Sequence, residues 1–150
     1  MTDLTKFIAE SNQIEGIHRE PTRTEIAETE RFLALSAIET FDLVGLVAVY
    51  QPDARLRDAP GMNVRVGDYV APLGGRHILI MLDGVLAKAD GSDYTAYHVH
   101  QEYERLHPFT DGNGRSGRAL WLWMMQQRGD GAPLGFLHHW YYQSLEAARP

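Results

Sequence analysis

The chain has no cysteine. Disulfide staples and thiolate metal sites are therefore excluded. No run of about 20 apolar residues occurs, so no segment reads as a membrane-spanning helix. Basic residues are few: 14 Lys and Arg stand against 20 Asp and Glu, a net charge of −6 and a pI near 5.6. An acidic chain of this kind lacks the electrostatic footprint of a general nucleic-acid binder. The opening Met1-Thr2-Asp3-Leu4-Thr5-Lys6 has no basic-then-apolar secretory pattern. Repeats and low-complexity tracts are absent as well. These absences predict a cytoplasmic protein with neither nucleic acid nor membrane among its partners. What is present is an ordinary globular balance, 44% apolar and 23% charged over 150 residues. That length fits one domain of roughly 100–200 residues with a core of its own.

The pattern along the chain is mostly helical. A short helix is expected around Leu4 to Ile14, broken near Gly16. Thr22 with Glu25 three residues on has capping-box spacing and should open a helix running to about Ile38. Another should begin near Asp42 and end before Pro52, followed by a loop from Pro52 to Gly61. Val64-Arg65-Val66 and Tyr69-Val70-Ala71 flank Gly67-Asp68, a two-residue turn of the glycine-first type, so a hairpin is expected within 62–72. One hairpin cannot support a sheet and must lie on the helices as a flap. Further helices are predicted over Gly75–Ala89, from a Ser92 or Asp93 cap to Leu106, over Asn113–Arg128, and over Gly135–Ala147. The expected fold is all-α: a compact bundle, residues 1–150, carrying one small β-hairpin. Ala119 to Met125 is apolar on every face, so that helix should be buried.

The chemistry concentrates in His107-Pro108-Phe109-Thr110-Asp111-Gly112-Asn113-Gly114-Arg115-Ser116-Gly117-Arg118. Gly112-Asn113-Gly114 tolerates unusual backbone angles and lets a ligand approach the main chain. It leads into a helix whose N-terminal N–H groups and dipole favour an anion. Arg115 and Arg118, three apart, can project from neighbouring positions of one face, and guanidinium groups match phosphate oxygens. Asp111 beside bound phosphates is suited to Mg²⁺, which takes few protein ligands. His107, with an unperturbed pKa of about 6.5, suits proton abstraction near neutral pH. A base, a metal ligand and an anion cradle together suffice for attack of a hydroxyl on a nucleotide phosphate. Phe109 is read as an anchor under the loop.

This run resembles the Fic family motif H-x-F-x-[D/E]-G-N-G-R-x-x-R at every defined position. His100 and Tyr103 also stand where Fic proteins often place a histidine and an aromatic, and the resemblance extends over roughly residues 60 to 145. It implies AMP transfer from ATP, with Mg²⁺, to a Ser, Thr or Tyr hydroxyl of a target protein. By position, His107 would take the hydroxyl proton and Asp111 would bind Mg²⁺. Gly112, Asn113 and Gly114 would hold phosphate oxygens, with Arg115 and Arg118 on the β- and γ-phosphates. Val64, Arg65, Val66, Gly67, Asp68, Tyr69 and Val70 resemble the Fic flap, which holds the target segment. Ser11-Asn12-Gln13-Ile14-Glu15-Gly16 resembles the inhibitory pattern [S/T]-x-x-x-E-[G/N] of self-regulating Fic proteins. Residues 1–20 would then be an inhibitory helix: Ser11 and Glu15 share a face, and Glu15 would pair with Arg118 and withhold it from the γ-phosphate.

Other readings of the same residues are weaker. His98 and His100 are two apart on a helix and face different ways, so they do not share a metal; His138 and His139 are left unassigned, and Trp121, Trp123 and Trp140 read as core. An EF-hand loop is excluded by Arg115 and Leu122 at ligand positions, and a P-loop by the absence of Gly-Lys-[Ser/Thr]. Two alternatives stay open. One keeps the fold but uses another nucleotide, or removes AMP with Glu15 positioning a water. The other is a toxin-like or scaffold protein that binds a partner by strand addition at Val64 to Val66. Tyr141 and Tyr142 are candidates for a homo-oligomer contact.

Overall fold

The computed structural model describes residues 3–130. The expected helix over Gly135–Ala147 lies outside them, as do Trp140, Tyr141, Tyr142, His138 and His139. Among the described residues six helices and one hairpin follow in the order α1 (Asp3–Ile14), α2 (Arg23–Leu33), α3 (Thr40–Tyr50), β1 (Arg65–Val66), β2 (Tyr69–Val70), α4 (Arg76–Asp90), α5 (Ala96–Leu106) and α6 (Asn113–Gln127). This is the all-α bundle with a small antiparallel hairpin that the pattern implies. No helix among the described residues is long and apolar enough to cross a membrane.

Local chemistry sets the ends. α1 stops where Gly16 adopts φ +78°, with Gly16 N–H donating to Gln13 O (2.9 Å) and Ile17 N–H to Asn12 O (3.0 Å). That pair of bonds is the left-handed helix stop that glycine favours. α2 opens on the full capping box: Glu25 N–H donates to Thr22 Oγ1 (3.0 Å) and Thr22 N–H to Glu25 Oε1 (2.7 Å). It ends at Leu33, five residues short of Ile38. The reason lies downstream. Glu39 N–H donates to the Asp42 carboxylate at 2.9 Å, a second capping box that starts α3 at Thr40, and Trp123 Nε1–H captures the Leu35 carbonyl at 2.8 Å. α5 is capped by Thr95, whose hydroxyl accepts from His98 N–H at 3.1 Å, and not by Ser92 or Asp93.

α6 lies at the centre. It packs on α5, α3, α2 and α1, and Ala119, Leu120, Leu122, Trp123 and Met124 are all buried. The main core joins Phe32, Leu46, Ile78, Leu82, Val99 and Tyr103 to Leu120 and Trp123. A smaller cluster sets Phe7 and Ile8 of α1 against Leu122. Burial of each such apolar side chain contributes about 1.5–3 kcal/mol, which docks α1 beside the start of α6. In the hairpin Arg65 pairs with Val70 and Val66 with Tyr69, around Gly67 at φ +59°. Tyr69 O–H donates to Arg105 O at 2.7 Å, laying the hairpin on α5.

Candidate active site

His107 closes α5 in a left-handed conformation (φ 51°, ψ 64°), the one positive φ outside glycine among the described residues. Its N–H still donates to Tyr103 O at 3.0 Å. Its Nδ1 lies 2.7 Å from Glu104 O, a carbonyl, so Nδ1 carries the proton and the lone pair of the neutral ring is on Nε2. The loop after it is pinned from two sides. Leu56 and Phe109 form an antiparallel bridge, flanked by Arg57 N–H to Pro108 O (2.9 Å) and Thr110 N–H to Arg55 O (2.8 Å). Asn113 spans the loop from within, accepting from Phe109 N–H and donating to Phe109 O, both at 2.8 Å. Phe109 is buried, the anchor its position implies.

Gly112 then takes φ +77° and begins α6. The N–H groups of a first helical turn have no intrahelical acceptor and face outward as an anion site. Ser116 donates to Gly112 O at 2.8 Å and is bonded to Tyr103 Oη at 2.7 Å, while the His100 ring donates to Gly117 O at 3.1 Å. Burial holds His100 neutral, its pKa pulled down to about 3 against the raising effect of that bond, with nearby Arg118 lowering it further. Burial likewise pushes the Tyr103 hydroxyl up. These two residues of α5 therefore act as fixed, uncharged struts under the first turns of α6.

The two arginines diverge. Packed between α3 and α1, α6 sends neighbouring side chains to different partners. Arg118 is buried against α1: Nε donates to Ser11 Oγ (2.7 Å), and Nη2 to Ser11 O (3.1 Å) and Glu15 Oε1 (2.8 Å). Arg115 turns the other way. It donates to Gln51 Oε1 at 3.0 Å and lies over the Tyr50 ring at 5.5 Å, with Nε and Nη1 buried and without a hydrogen-bond partner. The expectation that both arginines project together is thus corrected: Arg118 lines the cleft and Arg115 braces α6 against α3.

The cleft has a volume of about 460 Å³. His107, Asp111, Gly112, Asn113, Gly114 and Arg118 line it, with Ile14 and Glu15 on one side and Val64, Arg65 and Val66 on another. Gly114 matters for its missing side chain, since a Cβ there would collide with the Glu15 carboxylate. Asp111 accepts from Gly112 N–H through Oδ1 (2.8 Å). Gly16 ends α1, and Gly67, Asp68, Tyr69 and Val70 belong to the hairpin away from the cleft wall. A more apolar cavity of about 380 Å³ behind the hairpin, bounded by Tyr69, Met81, Val85 and Leu106, holds none of the motif residues. Sequence reasoning passed over Glu104, which also lines the cleft. Its place one helical turn before His107 was the available signal. It also passed over Gln51 and Arg57, which no local pattern marks.

Residues 73–125 match the family model described as Fic/DOC family. The matched segment holds α4, α5, the motif loop and most of α6, a narrower span than residues 60–145. The match supports Fic-type nucleotidyl transfer in general terms. The hairpin strands and α1 lie outside it.

Proposed function

We propose that the protein transfers AMP from Mg-ATP to a Ser, Thr or Tyr hydroxyl of a target protein, and that Glu15 restrains the reaction. The observation that carries this reading is one cleft holding His107, Asp111, the N-terminus of α6 and Arg118, with Glu15 already on Arg118. The phosphates would lie on the backbone N–H groups of Gly112 to Gly114. Asn113 would act chiefly by clamping the loop, since its amide is bonded to Phe109. Arg115 would lend positive charge from behind the helix. The target hydroxyl attacks the α-phosphorus and gives its proton to His107 Nε2. The bond from the α-phosphorus to the bridging oxygen breaks, and pyrophosphate leaves with the electron pair.

Asp111 fits a magnesium site of the sparse kind. It is exposed in the cleft with one oxygen occupied by Gly112 N–H, and no group of three or more metal-type side chains occurs among the described residues. Mg²⁺ bound with nucleotide takes one or two carboxylates plus phosphate oxygens and waters. Bound there, the ion would offset the charge of the phosphates. The strand edge at Val64 to Val66, on the cleft wall, would receive an extended target segment.

The position of Glu15 also supports a second reading, removal of AMP from a modified target by a water that Glu15 orients. One experiment separates the two: intact-mass spectrometry after incubation with Mg²⁺ and ATP for the wild type, Glu15→Gly and Glu15→Gly/His107→Ala. Gain of one AMP that grows in Glu15→Gly and vanishes in the double variant is the expected result. No gain in any variant, with loss of AMP from a modified substrate that requires Glu15, would favour removal.

A further inference from the structure

Arg57 sits in the loop before the hairpin and is 0% exposed. No carboxylate pairs with it among the described residues, and burial lowers its pKa from the usual arginine value. A buried charge without a counterion is costly, so its hydrogen bonds must be good. They are. Nε donates to His107 O at 2.6 Å and Nη2 to Leu106 O at 2.8 Å. Nη1 donates to Met62 O at 3.0 Å and to Pro72 O at 2.7 Å.

The identity of those four carbonyls matters more than their number. Leu106 and His107 end α5, where the dipole is negative and carbonyls lack helical partners. Met62 and Pro72 are the two chain ends at the base of the hairpin. One planar guanidinium thus ties the base of the flap to the backbone of the residue that carries the proposed base. His107 needs such a tie, because a left-handed non-glycine backbone is strained and persists only where its surroundings hold it.

We propose that Arg57 is a positioning residue that sets the hairpin and His107 in a single fixed register, so that a segment docked on the flap meets the base at a defined distance. The inference rests on the AMP-transfer reading for its kinetic consequence, but the mechanical coupling can be tested without it.

The first test is hydrogen exchange on Arg57→Lys, in which a compact ammonium cannot reach four carbonyls in one plane. The amide of Ala71, bonded to Val64 O, reports the hairpin, and the amide of His107, bonded to Tyr103 O, reports the base. Both should exchange faster by a similar factor, with the α2 amides unchanged. Acceleration of only one of them, or equal acceleration across the whole protein, would overturn the coupling. The second test is kinetic, in the Glu15→Gly background. Arg57→Lys should lower kcat by about 10–100-fold, the loss expected from misplacement of order 1 Å, and leave the KM for ATP within about twofold. Added ethylguanidinium should restore part of the kcat of Arg57→Ala, while ethylammonium should not. A merely structural arginine would instead lower Tm and leave kcat per folded molecule unchanged. If Arg57→Ala does not fold, exchange in the Lys variant decides. If Glu15→Gly itself shows no transfer, the functional reading fails while the exchange result still stands or falls alone.

Discussion

His100 should make the protein acid-labile by an amount that can be worked out in advance. The ring is 0% exposed, bonded through Nδ1 to Gly117 O at 3.1 Å and stacked on Trp121 at 4.7 Å. Glu104 Oε1 stands 3.9 Å from Nε2, beyond hydrogen-bond distance. Burial, with nearby Arg118 adding to it, wins over the raising effect of the Gly117 bond and keeps the pKa near 3, so the native ring is neutral across the accessible range. In the unfolded chain the same ring takes a proton below about 6.5. The unfolded state therefore binds more protons, and stability falls as pH drops. The contribution is intact above pH 6.5 and is lost progressively from there down to about pH 3. Each unit is worth 1.36 kcal/mol, so acidification from pH 7 to pH 5 should remove about 2 kcal/mol through this residue alone. The assay is urea unfolding of the wild type and His100→Gln at pH 7, 6 and 5. Other titrating groups cancel in the difference between the two proteins. That difference should shrink by about 2 kcal/mol between pH 7 and pH 5. A difference that stays constant would show that the native ring protonates normally, and the argument from burial would be wrong.

Two further outcomes follow from the site. Glu15→Gln keeps the shape of the side chain and removes its charge. The Glu15 side chain is 39% exposed, so its pair with Arg118 is discounted against a fully buried one, to roughly 1–2 kcal/mol. On the proposed reading, ATP affinity, measured by calorimetry in a His107→Ala background, should rise about 5–30-fold, and the gain should narrow with added salt. Equal affinities would remove the brake. Gly117→Ala places a Cβ in collision with the Glu104 carboxylate and 2.9 Å from Tyr103 Cδ1. Overpacking of this sort costs about 1–3 kcal/mol, read as a lower Tm; an unchanged Tm would mean that α5 and α6 are less tightly joined than their contacts indicate.

Much of this was legible in the sequence because it is written locally. The Thr22–Glu25 box, the Gly67-Asp68 turn, the all-round apolar face after Arg118 and the His107–Arg118 motif each need only neighbours in the chain. The four-residue spacing of Ser11 and Glu15 likewise implied a shared face; that it turns to Arg118 was implied by the resemblance and not by spacing, and the structure brings the three side chains together. The misreadings are of a different kind. The early end of α2 depends on Trp123, 88 residues from the carbonyl it captures, and on a cap three residues into the next helix. The divergence of Arg115 from Arg118 depends on which helices flank α6. Arg57 looks like any solvated loop arginine beside Asp53 and Asp58 until the topology gathers four carbonyls around it. Spacing reports periodicity within one element; it carries no information on what a distant segment will bring.

The way α1 is fastened has a consequence for any control of the reaction. Its body is held by Phe7 and Ile8 on Leu122 and by Asn12 Nδ2–H on the buried Glu25 carboxylate at 3.2 Å. Glu25 stays ionised because Arg19, the Thr22 N–H and Asn12 together outweigh its burial. Ser11 in the body and Glu15 just past the end of α1 both reach Arg118, but of these two only Glu15 carries a charge. On the proposed reading, nucleotide need not detach a helix to enter; it need only outcompete one carboxylate. A tethered competitor has an effective concentration set by geometry, on the order of millimolar for short links, and dilution of the protein does not change it. The active fraction would then follow the ambient level of nucleotide and would not change with the abundance of the enzyme, which would make α1 a gauge with a fixed zero point and not a latch.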